Sequence, residues 1–545
     1  MAKRKSAART VEPLAGCKGA ATVYEDENGV VWNFMLNYTN ISYGSYGNNK
    51  FYMVQLIQDG KNYKVFRKWG RVGAVNPQRA LESYNTSLEK AKASFQKKFE
   101  DKSGNEWPLE GSFEKVAGKY VLVEPDDEGE AEAEASDGQE KKDVVPSALH
   151  EDVQDVLKLI CDADLIAQEM EKMKIDLKRL PLGRLSKTQI SQGYTLLQKL
   201  SNALTEIDEL QKQDARGGDQ STTSPKKPAT RRSARPKRVS TANASKIRKL
   251  KIELKELSSE FYTLIPHDFG RSLPPAIDTT AEVKLKIDLL EVLADIEISQ
   301  KLQKEKRRTK QEGEDAINLL DVQYNMLNVK MEPLAESEEE FQVIDRYVKT
   351  THAPTHVQYK LKIRSVLKIT RPSEDAFQQE FEAISNHKLL WHGSRLSNVV
   401  GILSKGLRIA PPEAPSNGYM FGKGIYFADS VSKSANYCWT TADQPKGVLI
   451  LAEVALGTSY EALEAENLSY DSLKSSRNCD STHGLGRMAS PAEHHEILDG
   501  GMVVPIGEFE PTEANGELLY NEYVVYRQEQ VKLRYMVTLD FEYDI

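Results

Sequence analysis

One histidine in the C-terminal third of the chain stands where its residue type could do chemistry. Residues 389–395 read LLWHGSR and place His392 at the end of an apolar run that is typical of a buried strand. No serine–histidine–acid arrangement or zinc-ligand spacing surrounds it. From these residues alone, a buried histidine with satisfied hydrogen bonds is the better interpretation, and a ligand-binding histidine is the alternative.

Two further segments carry polar groups that could act on a bound ligand. Residues 432–438, SKSANYC, predict the start of a helix on which Ser434 and Tyr437 share one face. Residues 520–526, YNEYVVY, predict a strand in which Glu522 stands among aromatic and β-branched residues. An acid in such a strand lies on a wet face or needs partners when buried, and these neighbours alone favour the wet face.

The glycine-rich stretch before the second segment does not match the common phosphate-binding loops. Gly418, Gly422 and Gly424 lack GxGxxG spacing, and nothing in the chain matches GxxxxGK[ST]. Their spacing therefore excludes a Rossmann or P-loop nucleotide site.

Length and composition predict a soluble, intracellular protein of several domains. The chain has 545 residues, of which 39% are hydrophobic and 28% charged, and its net charge of −8 is distributed in blocks of opposite sign. No stretch approaches the length of a membrane span, and the basic N-terminus does not resemble a secretory signal. The four cysteines have no zinc-binding spacing, so no structural metal is expected: Cys17, Cys161, Cys438 and Cys479.

The N-terminal part predicts a small antiparallel sheet followed by a helix. Residues 30–73 are rich in aromatic and β-branched residues, with turn signals at NN (48–49) and DG (59–60). In the segment that follows, four apolar residues fall on one helical face: Leu88, Ala91, Phe95 and Phe99.

The middle part has the apolar period of helices. Ser186 and Gln189 predict a capping box at the start of one helix. The apolar residues that repeat at helical spacing are Val153, Val156, Leu157, Ile160, Ile190, Tyr194, Leu197, Leu285, Leu289, Val292 and Ile296. An acidic run, 125–144, predicts a disordered linker before these helices. A basic tract, 211–245, predicts a disordered loop within them that could serve nuclear localisation or contact nucleic acid.

From His387 onward, short apolar strands alternate with long loops, and three segments there resemble a known family. WHGSR, the long GLRIAPPEAP to SKSANYC run and YNEYVVY are similar to the catalytic domain of the poly(ADP-ribose) polymerase family. PLGRLSKTQI and FYTLIPHDFG resemble the helical regulatory domain of these enzymes, and KFYMVQLI with FRKWGRVG resembles their WGR domain. The basic tract within the helical domain departs from the family pattern.

The resemblance implies a multidomain α+β fold: a small antiparallel β WGR domain with a helix, an all-α regulatory bundle and a mainly β ADP-ribosyltransferase domain. The expected regions are a disordered basic N-terminus (1–20), the WGR domain (21–124), the acidic linker (125–144), the helical domain (145–335) with its insertion (211–245), and the catalytic domain (336–545).

The resemblance also implies roles in binding NAD+, which is a substrate, with no metal required. His392 is expected to bond the adenosine ribose, and Gly393 to hold the nicotinamide carboxamide while letting the dinucleotide approach the main chain. The other expected contacts are Ser434 to the carboxamide, Tyr437 and Tyr426 as the two walls around the nicotinamide ring, and Arg408 and Ser394 on the adenosine side.

Glu522 is the catalytic carboxylate that the resemblance implies. Loss of nicotinamide builds positive charge on the ribose, and a carboxylate bonded to the 2′-hydroxyl stabilises that charge. His392, Tyr426 and Glu522 complete the His-Tyr-Glu set of active members, and Lys433 is expected to assist on the acceptor side. His483 and Asn417 stand where a lysine and a threonine are expected, which could tune the entry of substrate or acceptor.

In the WGR domain the resemblance implies DNA contacts. Trp69 is expected to stack on a broken DNA end, although core packing is the commoner role of tryptophan, and Arg71 is expected to link DNA to the helical domain. Asn49, Lys50 and Tyr120 are candidate contacts to a 5′ phosphate. The helical domain would cover the NAD+ site until DNA binding shifts the population towards an open state.

Together these expectations indicate a nuclear, DNA-break-activated enzyme that modifies itself and other proteins, with an accessory protein as a possible further partner and no membrane. A mono-ADP-ribosyltransferase and a catalytically silent scaffold that binds DNA ends remain alternatives. Glu522 argues against the silent scaffold, because an apolar residue at that position would have favoured it.

Overall fold

The computed structural model describes residues 11–17, 21–123, 146–175, 187–217, 241–294, 318–416 and 419–543. The described residues divide into two compact units. One draws on the spans Met1–Ser136, Met170–Leu290 and Glu413–Pro415, and the other on Asp137–Glu169, Glu291–Pro412 and Ser416–Ile545. The predicted multidomain α+β class is confirmed, with an antiparallel β region, a helical region and a β-rich C-terminal region.

The first unit contains an antiparallel sheet with a helix packed on one face. The sheet has the order β5-β4-β3-β2-β6, and β1 pairs with β3. The elements are β1 (Thr22–Val23), β2 (Asn33–Asn40), β3 (Asn48–Asp59), β4 (Asn62–Arg71), β5 (Gln78–Ser83), α1 (Leu88–Ser103) and β6 (Val121–Val123). Ala91, Phe95 and Phe99 of α1 are fully buried against the sheet, as their spacing predicted.

Two predictions for this region need correction. The DG signal does form a hairpin turn, between Asp59 and Asn62, but the NN pair lies inside β3 and the chain turns before it. Residues 11–17 of the predicted disordered N-terminus are ordered. Ala15 is buried against Ile57 and Phe66. The N-terminal segment is held because Ala15 covers these two apolar side chains on the sheet face opposite α1.

The described chain between residues 146 and 327 is mostly helical. Its helices are α2 (Glu151–Ile160), α3 (Ala163–Lys172), α4 (Lys187–Gly217), α5 (Thr241–Leu264), α6 (280–294) and α7 (Leu319–Leu327). No helix in the described segments has the length and apolar composition that crossing a membrane requires. The predicted acidic linker and the Ser186 cap lie outside the described residues.

The predicted bounds of the disordered basic insertion, 211 and 245, are both wrong. Residues 211–217 continue α4 and residues 241–245 begin α5, while 218–240 lie outside the described residues. The two helices are joined there by polar pairs: the Asn243 amide donates to Asp214 at 2.7 Å, and Lys246 pairs with Glu206 at 2.5 Å. Polar contacts therefore extend the helices beyond the apolar pattern that the prediction followed.

Most of the predicted apolar helix positions are buried, with one exception. Ile190, Tyr194 and Leu197 of α4 lie in the interior. Leu285 of α6 is 43% exposed, so its predicted core position is wrong. The buried stripe of α6 consists of Val283, Ile287, Leu289, Leu290, Val292 and Leu293, and Ile296 lies outside the described residues.

The second unit is built on two sheets. Seven strands have the order β15-β16-β9-β11-β19-β8-β7, four have the order β10-β18-β13-β12, and β14 pairs with β17. The strands are β7 (Lys330–Pro333), β8 (Tyr359–Thr370), β9 (His387–Gly393), β10 (Ile425–Phe427), β11 (Lys446–Ala455), β12 (Ser459–Ala462), β13 (Ser481–Gly484), β14 (Met488–Ala489), β15 (Glu496–Leu498), β16 (Met502–Val504), β17 (Glu510–Pro511), β18 (Glu522–Val525) and β19 (Val531–Tyr543). The helices are α8 (Glu339–Thr350), α9 (Gln378–Ala383), α10 (Leu396–Lys405), α11 (Val431–Ala435) and α12 (Tyr470–Arg477).

The core of this unit includes the first predicted helix. Val153, Val156, Leu157 and Ile160 are buried on α2, as predicted, in one cluster with residues of both sheets such as Leu390 and Val525. The amphipathic stripe of α2 therefore gains its stability from packing on the β-rich core rather than from helix propensity.

A buried ion pair fixes the helix that follows β9. The Arg371 guanidinium pairs with Glu374 at 2.9 Å and donates to the carbonyls of Leu403 and Ser404 at the end of α10. Glu374 also accepts from the Leu533 amide at 3.2 Å. The pair thereby satisfies carbonyls that a helix end leaves without intrahelical partners.

We expect Arg371→Met to lower the free energy of unfolding by about 3–5 kcal/mol, because it leaves Glu374 buried without its counter-charge. Urea unfolding followed by circular dichroism measures the change. Arg364→Met is the control: Arg364 is half-exposed and its contact to Asp540 at 3.4 Å is a surface pair, so its loss should cost less than about 1 kcal/mol. Equal losses in the two variants would contradict the importance of the buried pair.

Candidate functional site

The candidate site forms where β9 of the large sheet meets the end of β10 of the smaller one. Trp391 and Ala428 exchange backbone hydrogen bonds: Trp391 N donates to Ala428 O at 2.9 Å, and Ala428 N donates to Trp391 O at 3.0 Å. On the other side, β10 pairs with β18, with Tyr426 opposite Val524. These pairings bring His392, Tyr426 and Glu522 into one region of the unit.

His392 is held by its neighbour in β10. Its Nδ1 lies 3.0 Å from the carbonyl oxygen of Tyr426, which can only accept, so Nδ1 carries the hydrogen. Burial lowers the pKa of His392 below its ordinary value, although the bond to Tyr426 opposes this effect. The ring is therefore neutral at neutral pH, and Nε2 is an acceptor suited to a sugar hydroxyl.

Gly393 lies against the backbone of α11. A Cβ at this position would stand 1.8 Å from the carbonyl oxygen of Ser434, so no other residue fits. The hydroxyl of Ser434 donates to Trp391 O at 3.0 Å and keeps lone pairs that can accept from an amide group. The predicted reason for the glycine, close approach of a ligand, is therefore incomplete, because packing within the protein already requires it.

Two tyrosines are the predicted walls around the nicotinamide ring. The Tyr426 hydroxyl donates to Gly422 O at 2.6 Å and accepts from Phe421 N at 3.0 Å, and its ring lies 5.8 Å from that of Tyr419. Burial raises the pKa of Tyr426, so its hydroxyl stays protonated. Tyr437 lies in a short 3-10 turn after α11, and its side chain is 42% exposed. One ring is fixed and the other is open to a ligand.

Glu522 begins β18 and is mostly buried. Its side chain is 14% exposed, and Oε2 lies 3.8 Å from the Lys433 ammonium nitrogen. Lys433 also donates to the carbonyls of Tyr520 and Asn521 at 3.1 and 3.0 Å. Burial lowers the pKa of Lys433, whereas the negative charges of Glu522 and Asp429 oppose the shift. The wet-face interpretation of Glu522 is thus wrong, because Lys433 provides a charged partner for the buried carboxylate.

The remaining predicted contacts lie nearby in sequence and are less enclosed. The Ser394 hydroxyl accepts from the Asn398 amide at 3.0 Å, and Arg408 is exposed on the segment after α10. His483 lies in β13 opposite Tyr523, and their rings stack with centroids 4.4 Å apart. It is thus packed within the sheet next to the glutamate strand. Asn417 lies outside the described residues.

Three residues near Glu522 were missed by the sequence reasoning. Asp429, Asn521 and Tyr523 are buried and hydrogen-bonded to one another. The available signal was an aspartate two residues after one site strand and an asparagine directly before the glutamate. In the described part of the chain, no group of three or more histidine, cysteine or acidic side chains could hold a metal ion.

In the first unit, one sheet face carries a basic and aromatic cluster. Trp69 stacks on Tyr52 with centroids 5.8 Å apart, and Tyr120 lies 6.4 Å from Tyr52. The Lys102 ammonium lies 4.9 Å from the Tyr52 ring. Burial and the positive charges of neighbouring lysines, among them Lys50, lower the pKa of Lys102. Lys102 was not predicted, and this concentration of positive charge suits a phosphate backbone.

Asn49 and Arg71 instead contact the segment after α5. Asn49 is fully buried, and its amide donates to His267 O at 2.9 Å, so its side chain is not available to a phosphate in this structure. The Arg71 guanidinium donates to Gly270 O at 2.5 Å and Ser272 O at 2.6 Å. Alternation along β3 explains the position of Asn49, which points to the face opposite Lys50, whereas Arg71 pairs with Lys50 across the two strands.

Comparison with known proteins adds three domain matches. The poly(ADP-ribose) polymerase catalytic domain matches residues 338–541, the regulatory domain of the same enzymes residues 147–324, and the WGR domain residues 32–114. Over 98% of its length the chain is 40% identical to poly [ADP-ribose] polymerase 2 of Homo sapiens and covers 83% of that protein. It is 36% identical over 94% of its length to poly [ADP-ribose] polymerase 2-A of Oryza sativa subsp. japonica, covering 70% of it. Poly [ADP-ribose] polymerase 1 of Gallus gallus is 36% identical over 98% of the chain, which covers 47% of that relative.

We expect Gly393→Ala to lower the melting temperature by several degrees, because the added Cβ forces β9 away from α11 at a cost of about 1–3 kcal/mol. Scanning fluorimetry measures the change. Gly111→Ala is the control, since nothing lies within 4 Å of a Cβ there. A variant at Gly393 that melts like the wild type would show that the close contact with Ser434 imposes no constraint.

Proposed function

Because the chain belongs to the poly(ADP-ribose) polymerase family and is an NAD+ ADP-ribosyltransferase, we propose that DNA strand breaks activate its polymer synthesis. The acceptors are the enzyme itself and nearby proteins, in a nuclear response to DNA damage. The proposal keeps the predicted division into a DNA-binding domain, a helical regulatory domain and a catalytic domain. The convergence of His392, Tyr426 and Glu522 through β9, β10 and β18 carries its catalytic part.

In this proposal each side chain of the site has one task on NAD+. His392 accepts from a hydroxyl of the adenosine ribose through Nε2. Gly393 and Ser434 hold the carboxamide, and Tyr426 and Tyr437 flank the nicotinamide ring. The bound substrate is thus oriented so that its nicotinamide–ribose bond lies beside Glu522.

Glu522 supplies the electrostatic part of catalysis. When nicotinamide leaves, positive charge develops on the ribose, and a carboxylate bonded to the 2′-hydroxyl lowers the energy of that state. The same carboxylate can orient the hydroxyl of an acceptor. Lys433 holds the backbone in front of Glu522 and places its ammonium nitrogen 3.8 Å from the carboxylate.

DNA control is proposed from the first unit. Trp69, Lys50, Lys102 and Tyr120 form one face that suits a broken duplex end with a 5′ phosphate. Arg71 donates to the carbonyls of Gly270 and Ser272 in the segment after α5. A shift of this face on DNA binding is therefore transmitted to that segment. An accessory protein that completes the active site is compatible with this scheme and is part of the proposal.

We expect Glu522→Gln to abolish chain elongation while NAD+ affinity stays within about threefold, because the amide keeps the shape but loses the charge that acts in the transition state. Turnover should fall by about 10²–10³-fold. Polymer length and nicotinamide release are measured with labelled NAD+. Glu461→Gln, an exposed acid in β12 of the same sheet, is the control. Unchanged polymer length would remove Glu522 from its role.

We expect Trp69→Ala to lose stimulation by DNA and retain basal turnover, because it removes the ring that stacks on the duplex end. Incorporation of labelled NAD+ is resolved on a gel, with and without a 5′-phosphorylated nicked duplex. The matched control is Tyr63→Ala, which trims another half-buried aromatic of β4 packed on the same core cluster.

The same gel separates the alternatives. A DNA-dependent high-mass smear from the wild type supports a polymerase, a sharp band indicates mono-ADP-ribosylation, and no label despite DNA binding indicates a silent scaffold. If Tyr63→Ala loses stimulation as fully as Trp69→Ala, the tryptophan is a packing residue and its DNA contact is refuted.

A further inference from the structure

A buried carboxylate lies behind the strand that carries the catalytic glutamate. Asp429 lies two residues after the end of β10 and is 2% exposed. Its Oδ2 accepts from the Asn521 amide nitrogen at 2.7 Å and from the Tyr523 hydroxyl at 3.2 Å. Both partners are immediate chain neighbours of Glu522, and none of the roles assigned above to the NAD+ site uses Asp429.

These contacts hold β18 from the side opposite Glu522. Successive side chains of a strand point to opposite faces, so Asn521 and Tyr523 share one face and Glu522 projects from the other. The oxygen of the Asn521 side chain accepts from Gly486 N at 2.8 Å, which fixes which end of the amide faces Asp429. Lys433 holds the carbonyls of Tyr520 and Asn521. The strand is therefore anchored on both sides of the catalytic carboxylate.

Asp429 interacts electrostatically with three neighbouring groups. Burial lowers the pKa of Lys388, Lys433 and His483, and the negative charge of Asp429 opposes that shift in all three. Hydrogen bonds to an ionised acceptor are stronger than bonds between neutral groups. A buried carboxylate bonded to the two residues around Glu522 therefore determines the local course of the strand more firmly than packing alone would.

We propose that Asp429 is a positioning residue, which fixes the direction in which Glu522 presents its carboxylate to the ribose. The inference rests on the proposed catalytic role of Glu522. Asp429 lies just before α11, the helix that carries Lys433 and Ser434. The same segment thus sets the place of the nicotinamide pocket and the direction of the catalytic carboxylate.

The test exchanges the donor and the acceptor of the central hydrogen bond. Asn521→Asp places a second carboxylate 2.7 Å from the first, where like charges repel. We expect the kcat for nicotinamide release to fall by at least about tenfold, and the KM for NAD+ to change by less than about threefold, because His392, Gly393 and Ser434 are untouched.

Adding Asp429→Asn to Asn521→Asp restores the pair with its roles reversed. The new amide nitrogen takes the place of Oδ2 and can donate to both the new carboxylate and the Tyr523 hydroxyl oxygen, while the new carboxylate accepts from Gly486 N. We expect kcat to return to within about threefold of the wild type, which a double-mutant cycle detects as strong coupling.

Tyr523→Phe and Tyr526→Phe form a matched pair, the first within β18 and the second directly after it. Both remove a buried hydroxyl, but that of Tyr526 donates to Phe421 O at 2.8 Å and has no contact with Asp429. We expect kcat to fall in the first and to be retained in the second, at similar melting temperatures. Equal kcat in the two variants, or no recovery in the exchanged double variant, overturns the proposal.

A crystal structure of Asn521→Asp gives a readout that does not depend on activity. The Glu522 carboxylate is expected to leave its place 3.8 Å from the Lys433 nitrogen. If it stays there, Asp429 does not position it, even where turnover has fallen. If the wild type itself does not consume NAD+ in the presence of nicked DNA, the proposed function fails, and this structural result still decides the positioning role.

Discussion

The candidate active site depends on one backbone pairing, the exchange of hydrogen bonds between Trp391 and Ala428. Trp391 lies in β9 of the seven-stranded sheet, and Ala428 directly follows β10, an edge strand of the four-stranded sheet. Their pairing therefore brings His392 beside Tyr426. The carbonyl of Trp391 accepts a second hydrogen bond from Ser434, which draws α11 onto β9. Only glycine at 393 allows that approach, since a Cβ there would overlap Ser434 O.

The polar side chains of the site are held mainly by the main chain. His392 bonds the carbonyl of Tyr426, Lys433 bonds two carbonyls before Glu522, and the Tyr426 hydroxyl bonds the backbone at Phe421 and Gly422. Backbone partners leave little freedom to rearrange when a substrate binds. Such fixed dipoles and charges stabilise a developing positive charge without reorganisation, which is the most effective form of electrostatic catalysis.

In the first unit, the side chains of β3 alternate between two faces, and this places the adjacent residues Asn49 and Lys50 in different surroundings. Lys50 belongs to the basic and aromatic face with Trp69, whereas its neighbour Asn49 is buried against the segment after α5. The resemblance to the WGR domain implied that both residues contact a 5′ phosphate. In a pleated strand, adjacent side chains face opposite ways, so sequence neighbours seldom share a surface.

The sequence by itself determined the fold class and the helices with strong apolar period. Through contiguous strings it also indicated His392, Tyr426, Ser434 and Glu522 as candidate site residues. Local patterns suffice for these features because helical period and motif spacing are properties of neighbouring residues. The tertiary structure alone decided four other features: the burial of Glu522 beside Lys433, the exposure of Leu285, the orientation of Asn49 away from the basic face, and the support from Asp429. Each of these depends on a partner brought close by strand and helix packing, and burial or pairing with a distant residue leaves no mark in the local sequence.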